Sequence, residues 1–122
     1  MEFTKLTYSI GGYGSNTTKV TIDCVENSIN VKEYKFNDET VKSASREITK
    51  SDLSKINKIA KIVSKWEDRY DQPGLCDGPE ASIAIDDKST YIHSISSKYY
   101  PKHYKKVVGY FRSLSKFSGI LI

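Results

Sequence analysis

The feature that most constrains the fold of this chain is a change in the spacing of its apolar residues near Thr49. Before that position apolar and polar residues alternate, as in strands that bury one face. After it, apolar residues recur every three or four positions, which is typical of an amphipathic helix. The helical set comprises Leu53, Ile56, Ile59, Ala60, Val63, Trp66 and Tyr70. The chain therefore predicts β-structure followed by a helix with one buried stripe.

The N-terminal part predicts four strands. Segments 3–10 and 18–25 alternate apolar with polar residues and flank the sequence GGYGSN, whose glycines suit a hairpin loop. Segment 29–36 predicts a third strand, with a change of phase at Lys32-Glu33 that indicates a bulge. Residues 40–48 predict a fourth, more polar strand.

The first helix has a predicted beginning and end. Thr49 or Ser51 is placed to cap it, and Asp52 favours the positive end of its dipole. We expect the helix to end near Tyr70, because the sequence QPG that begins at Gln72 cannot continue it.

The C-terminal part predicts a hairpin and a second helix. Residues 81–85 alternate, the sequence DDKS makes a turn, and the chain returns over residues 91–95. Tyr100-Pro101 is typical of a helix start, because proline at the first helical position loses no hydrogen bond. The apolar stripe of this helix comprises Tyr104, Val107, Val108, Phe111, Leu114 and Phe117.

The order ββββ-α-ββ-α predicts one α+β domain over residues 1–122. An antiparallel sheet of five to six strands with both helices on one face buries all of these apolar stripes. A chain of 122 residues is long enough to close such a core without metal or disulfides. We expect the core to include Trp66, Ile59, Val63, Val107, Phe111 and Leu114.

The sequence predicts a cytoplasmic protein without a membrane span. Its start, MEFTKLTYSIGGYG, has no basic segment followed by an apolar one, and no run reaches the ~18–20 apolar residues of a spanning helix. In a reducing compartment we expect Cys24 and Cys76 to be small buried residues. Two cysteines and two histidines far apart lack zinc-ligand spacing, so we expect no metal and no cofactor.

The net charge of +4 hides two patches of opposite sign. Residues 67–87 hold seven acids and one base, Arg69, whereas residues 88–122 hold seven bases and no acid. The acids are Glu67, Asp68, Asp71, Asp77, Glu80, Asp86 and Asp87. They have no calcium-loop register, and they suit either a solvated loop or a docking surface for a basic partner. We favour the docking surface, with Tyr70, Leu75 and Tyr91 as its buried anchors.

Three other features have a functional and a structural interpretation. His93 and His103 are a candidate acid–base pair for a small metal-independent ribonuclease, or ordinary histidines. The lysines beside the two apolar stripes are a candidate nucleic-acid surface, or solvated helix faces. The cluster Gly11-Gly12-Tyr13-Gly14 lacks the spacing of a phosphate loop, and we interpret it as the hairpin loop.

A resemblance adds to this interpretation. The pattern in question comprises Asp77-Gly78, Ile83-Ala84-Ile85, Tyr91-Ile92, Ser97, Tyr100-Pro101, Tyr104 and Phe111. It resembles a recurring module of small uncharacterised bacterial proteins, in which an Asp-Gly turn leads to a hairpin and a helix. In size, strand-rich start and lack of a catalytic signature, the chain also resembles immunity proteins encoded beside polymorphic and contact-dependent toxins. Those that guard against basic nucleases tend to be acidic, whereas this chain is basic.

The function expected from the sequence is therefore protein binding. The resemblance implies a non-enzymatic immunity protein that binds and neutralises a cognate toxin domain. The small ribonuclease using His93 and His103, and the nucleic-acid-binding protein acting through its lysine-rich helices, stay as the alternatives.

Overall fold

The computed structural model describes residues 3–12 and 14–122, so Tyr13 of the predicted hairpin loop lies outside it. Within these residues the chain forms seven strands and two α-helices. The strands are β1 (Lys5–Gly12), β2 (Thr17–Asp23), β3 (Ser28–Tyr34), β4 (Thr40–Glu47), β5 (Arg69–Asp71), β6 (Pro79–Ile85) and β7 (Lys88–His93). The helices are α1 (Lys50–Val63) and α2 (Tyr104–Ser115), and single 3₁₀ turns span Ser97–Tyr99 and Lys116–Ser118. The α+β class is confirmed.

The seven strands form one sheet in the order β4-β3-β2-β1-β6-β7-β5. All neighbours are antiparallel except β5 and β7, so the sheet is mixed and has one strand more than we expected. β5 joins the edge through backbone hydrogen bonds. The Tyr91 N–H donates to the Asp68 carbonyl oxygen (2.9 Å) and the Gln72 N–H to the His93 carbonyl oxygen (2.9 Å).

The first helix is shorter than the periodicity predicts. It begins after Thr49, which forms hydrogen bonds with Asp52. The Asp52 N–H donates to the Thr49 hydroxyl oxygen, and the Thr49 N–H donates to the Asp52 carboxylate. It ends at Val63 instead of near Tyr70. Trp66 still reaches the core from the loop beyond, where its indole N–H donates to the Lys102 carbonyl oxygen (2.9 Å).

The second helix also begins later than predicted. Pro101 is buried before the helix, and α2 starts at Tyr104 instead of at Tyr100-Pro101. His103, with φ of 65°, occupies the left-handed region directly before it. The turn that this residue makes separates the 3₁₀ segment from the helix.

Both helices pack on one face of the sheet, and the core lies between. The Tyr8 ring of the central strand stacks on Phe111 of α2, with ring centroids 4.9 Å apart. The predicted core residues Trp66, Ile59, Val63, Val107, Phe111 and Leu114 are all buried. Phe117, predicted in the same stripe, is 38% exposed, and the Arg46 guanidinium covers its ring at 5.1 Å.

The two helices run antiparallel. Near the start of α1, the Lys55 ammonium donates to the Ser113 hydroxyl close to the end of α2 (2.6 Å). Beyond the end of α1, the Trp66 ring lies 6.1 Å from that of Tyr104 at the start of α2. The helices therefore cover one face of the sheet together, and the other face, which we call the open face, carries no helix.

Candidate functional site on the open face

In each strand, alternate side chains point away from the helices and form the open face. In β1, Leu6 and Tyr8 face the helices, whereas Thr7 and Ser9 face outward and are half-buried. The same alternation applies to the pairing strands, because the registers set outward residues opposite one another. The open face is consequently polar along its length.

A cleft of about 660 Å³ lies at one end of the open face. Its floor consists of small residues, Ser9 and Gly11 on β1 and Ser82 on β6. A Cβ at Gly11 would lie 2.8 Å from the Thr17 hydroxyl oxygen, so a side chain there would collide with β2. Phe36, which is 88% exposed, lines the cleft from the β3–β4 turn.

The opposite wall of the cleft is built around Tyr91. Its hydroxyl donates to a Glu80 carboxylate oxygen (2.9 Å), and the Arg69 guanidinium covers its ring at 4.6 Å. Arg69 is itself held by an ion pair with Asp71. Burial and the bond to Glu80 raise the pKa of Tyr91. The Glu80 carboxylate and the Tyr91 ring are therefore fixed in place before any ligand binds.

His93 also lines the cleft. It lies between Glu80 of β6 and Asp71 of β5 in the strand registers. Within the described residues, no side-chain hydrogen bond joins it to either carboxylate, and its ring centroid is 6.3 Å from that of Tyr91.

The ribonuclease hypothesis paired His93 with His103, and the structure separates these residues. His93 faces the cleft on the open face. His103 is exposed directly before α2, which packs on the other face of the sheet. The two histidines therefore belong to different layers of the fold.

The acidic residues of positions 67–87 do not form one patch. Asp77 and Glu80 line the cleft, and Asp71 lies beside it in β5 instead of ending α1. Asp86 and Asp87 make the turn at the far end of the β6–β7 hairpin, roughly 20 Å from Glu80 at ~3.3 Å per residue. Glu67 and Asp68 are exposed and follow α1. The Glu67 carbonyl oxygen accepts a hydrogen bond from the Thr90 hydroxyl, and the Asp68 carbonyl oxygen accepts one from the Tyr91 N–H.

Asp86 has a structural role in joining two segments of the sheet. One carboxylate oxygen accepts from the Thr4 N–H (3.0 Å), the Thr4 hydroxyl (2.6 Å) and the Lys5 N–H (2.9 Å). The bond from the Thr4 hydroxyl, followed by the backbone bonds, lowers the pKa of Asp86. This carboxylate ties the start of β1 to the β6–β7 turn.

The three predicted anchors lie in different surroundings. Tyr91 forms the cleft wall. Tyr70 is half-buried against the core, and its hydroxyl accepts from the Glu67 N–H (3.0 Å), so it does not face the cleft. Leu75 is half-buried in the loop before β6, where a Cβ at Gly78 would lie 3.3 Å from it.

Sequence reasoning missed the cleft floor and Phe36. The signal for the floor was present in the strand SIGG, where small residues occupy the outward positions of an alternating strand. Phe36 was assigned to the third strand, but β3 ends at Tyr34 and leaves Phe36 in the turn. The predicted burial of Cys76 is wrong, since it is exposed at the cleft, whereas Cys24 is half-buried.

The described residues include no group of three or more His, Cys, Asp or Glu side chains arranged to hold a metal ion. Within the same residues no helix has the length and apolar character needed to cross a bilayer.

A scan against models of known protein families finds no match for this chain, and a search of curated proteins finds no significant match.

Proposed function

We propose that this chain is a non-enzymatic protein-binding module of the immunity-protein type, which binds and neutralises a cognate toxin domain through the cleft end of its open face. The observation that carries the proposal is the Tyr91–Glu80 pair, an aromatic wall that holds a carboxylate in a fixed position beside a cleft of about 660 Å³. Aromatic residues in fixed positions are common anchors of protein interfaces.

The negative charge at the cleft indicates what kind of partner it binds. Asp77 and Glu80 form no ion pair within the described residues, where the pairs are Lys35–Glu39, Arg46–Asp52 and Arg69–Asp71. A basic surface on the toxin domain would supply the missing cations. Attraction between the two surfaces would raise the association rate more than it would slow dissociation.

The test uses the purified toxin domain encoded next to the gene of this chain, with binding kinetics measured at several salt concentrations. We expect Asp77→Lys with Glu80→Lys to slow association at least tenfold and to abolish its salt dependence. The matched control, Glu26→Lys with Glu47→Lys, makes the same change of net charge at exposed positions outside the cleft and should leave the association rate within about twofold.

A second variant tests the cleft itself. Ser82→Trp fills the floor from a half-buried outward position and should accelerate dissociation, whereas Thr21→Trp, outward on β2 away from the cleft, should not. Equal effects of the cleft and control variants would place the interface elsewhere. A neighbouring gene without a toxin domain would contradict the immunity role.

A further inference from the structure

The lysines of the two helices form one surface on the side of the molecule away from the open face. Lys58 lies on α1 opposite the buried Ile56, Ile59 and Val63, and Lys65 follows in the turn directly after the helix ends. Because the helices are antiparallel neighbours, the end of α1 lies beside the start of α2. We call the resulting set the helical basic surface; it comprises Lys58, Lys65, Lys102, Lys105, Lys106 and Lys116, all exposed.

No acid within the helices neutralises this surface. Asp52 is the single acid of residues 50–66, and both of its carboxylate oxygens are held by Arg46. Residues 88–122 contain no acid. Glu67 and Asp68 follow Lys65 in the chain and are exposed, so they mark the acidic border of the surface. The exposed lysines of α2 therefore lie on the side of the sheet opposite the acidic cleft.

We propose that the helical basic surface binds the backbone phosphates of a duplex nucleic acid without reading its sequence. Lys58 lies on α1 and Lys65 just beyond its end, and packed helices lie about 8–10 Å apart, so the lysines cover an area that contacts several phosphates. The aromatic rings beside these lysines are buried, as in Trp66 and Tyr104, or partly buried against the core, as in Tyr110, and so offer little surface on which an unpaired base could stack.

The packing of the helices favours a nucleic acid over a membrane surface. A helix that lies in a membrane inserts its apolar side, together with basic residues at the rim. In α1 and α2 the apolar sides are buried against the sheet. The lysines are left as point charges, the form in which lysine binds phosphate.

The experiment measures fluorescence anisotropy of a labelled 20-base-pair DNA duplex with the full chain between 50 and 200 mM KCl. We expect the logarithm of the binding constant to fall linearly with the logarithm of salt concentration, with a slope of about −4 to −5 for five phosphates. Replacing Lys58, Lys65, Lys105 and Lys106 by Gln should weaken binding more than tenfold and make the slope less steep by about 3 to 4.

The matched control replaces Lys5, Lys19, Lys32 and Lys42 by Gln, which removes the same charge from the strands. It should retain affinity within about threefold, and thermal melting should show both variants folded. Equal losses in the two variants, tighter binding to a single-stranded 20-mer, preference for anionic lipid vesicles, or no binding at 50 mM salt would each overturn the proposal. The Asp77 and Glu80 variants lie on the other face, so the toxin-binding proposal stands or fails separately.

Discussion

Arg46 and Asp52 form a two-pronged ion pair that joins the edge strand β4 to the first turn of α1. The two guanidinium nitrogens contact the two carboxylate oxygens at 2.5 and 3.0 Å. Arg46 also donates to the Leu114 carbonyl oxygen near the end of α2 (3.4 Å) and covers the Phe117 ring. One side chain thus connects the sheet edge to both helices at the same end of the molecule.

The pair should be coupled in a double-mutant cycle. We expect Arg46→Ala and Asp52→Ala together to give a coupling energy of about 1–3 kcal/mol, measured by urea unfolding. Arg46→Lys should restore little of it, because lysine cannot bind both carboxylate oxygens at once. A coupling energy near zero would mean that the two residues stabilise the fold independently.

The same pair should make the fold sensitive to acid. The hydrogen bonds from Arg46, followed by those from Thr49, lower the pKa of Asp52 to about 2, against an ordinary value of 3.8. Because this pKa is lower in the folded than in the unfolded chain, the Asp52 carboxylate stabilises the folded state by about 2 kcal/mol above pH 4. This contribution is lost as the pH falls from about 4 to 2. Unfolding free energies of wild type and Asp52→Asn should converge over that interval. A difference that stays constant would contradict the assignment.

Trp66 should be essential to the core although it lies outside a helix. It is 5% exposed and its indole donates to Lys102. Trp66→Ala should lower the free energy of unfolding by about 3–5 kcal/mol, and Trp66→Phe, which keeps a ring but removes the donor, by less. A loss below about 1 kcal/mol for the alanine variant would show that the indole contributes little to the core.

Tyr8 carries a buried hydroxyl that the fold does not need. The side chain is fully buried, and no hydrogen bond of acceptable geometry reaches its hydroxyl within the described residues, although Tyr104 is close enough to influence it. Burial raises the pKa of Tyr8 far above its ordinary value. Tyr8→Phe should leave the unfolding free energy unchanged or raise it by about 1 kcal/mol. Tyr8→Leu, which loses the stacking on Phe111, serves as the destabilised control.

Asp86 should matter for stability and not for partner binding. Asp86→Ala removes the acceptor of Thr4 and Lys5 and should lower the melting temperature. The neighbouring Asp87→Ala, in the same turn and exposed, is the control and should melt like the wild type. If Asp86→Ala keeps its stability but loses the toxin domain, the docking surface extends to this turn.

Local patterns predicted the parts of the fold that are local. The strand alternation located β1 to β3 and β6, the phase change at Lys32-Glu33 lies within one residue of the register shift at Glu33/Tyr34, and the helical stripe located α1. Strand β5 was missed because three residues are too few to show a period of two. Tyr70 lies four positions after Trp66 and so fits the helical period as well.

The candidate site could not be predicted, because it depends on registers between distant segments. Ser9 lies opposite Ser82 and Gly11 opposite Glu80 only through the pairing of β1 with β6. The acidic run looked continuous in sequence, but the hairpin β6–β7 sends its members to opposite ends of the sheet. Separation along the chain was therefore a poor guide to separation in space.

The central position of β1 has a consequence for synthesis of the chain. Leu6 pairs with Ile85, which is synthesised much later. At about 5–20 residues per second on the ribosome, β6 becomes available to β1 only roughly 4–15 s after β1 is made. Once β4 has been synthesised, β1 to β4 can form a meander, but the other side of β1 has no neighbour until β6 follows, and Tyr8 lacks the Phe111 ring of α2. An unpaired strand edge beside an apolar face is a template for wrong pairing. We therefore expect the chain to be most open to wrong pairing after β1 to β4 are made and before β6 is made.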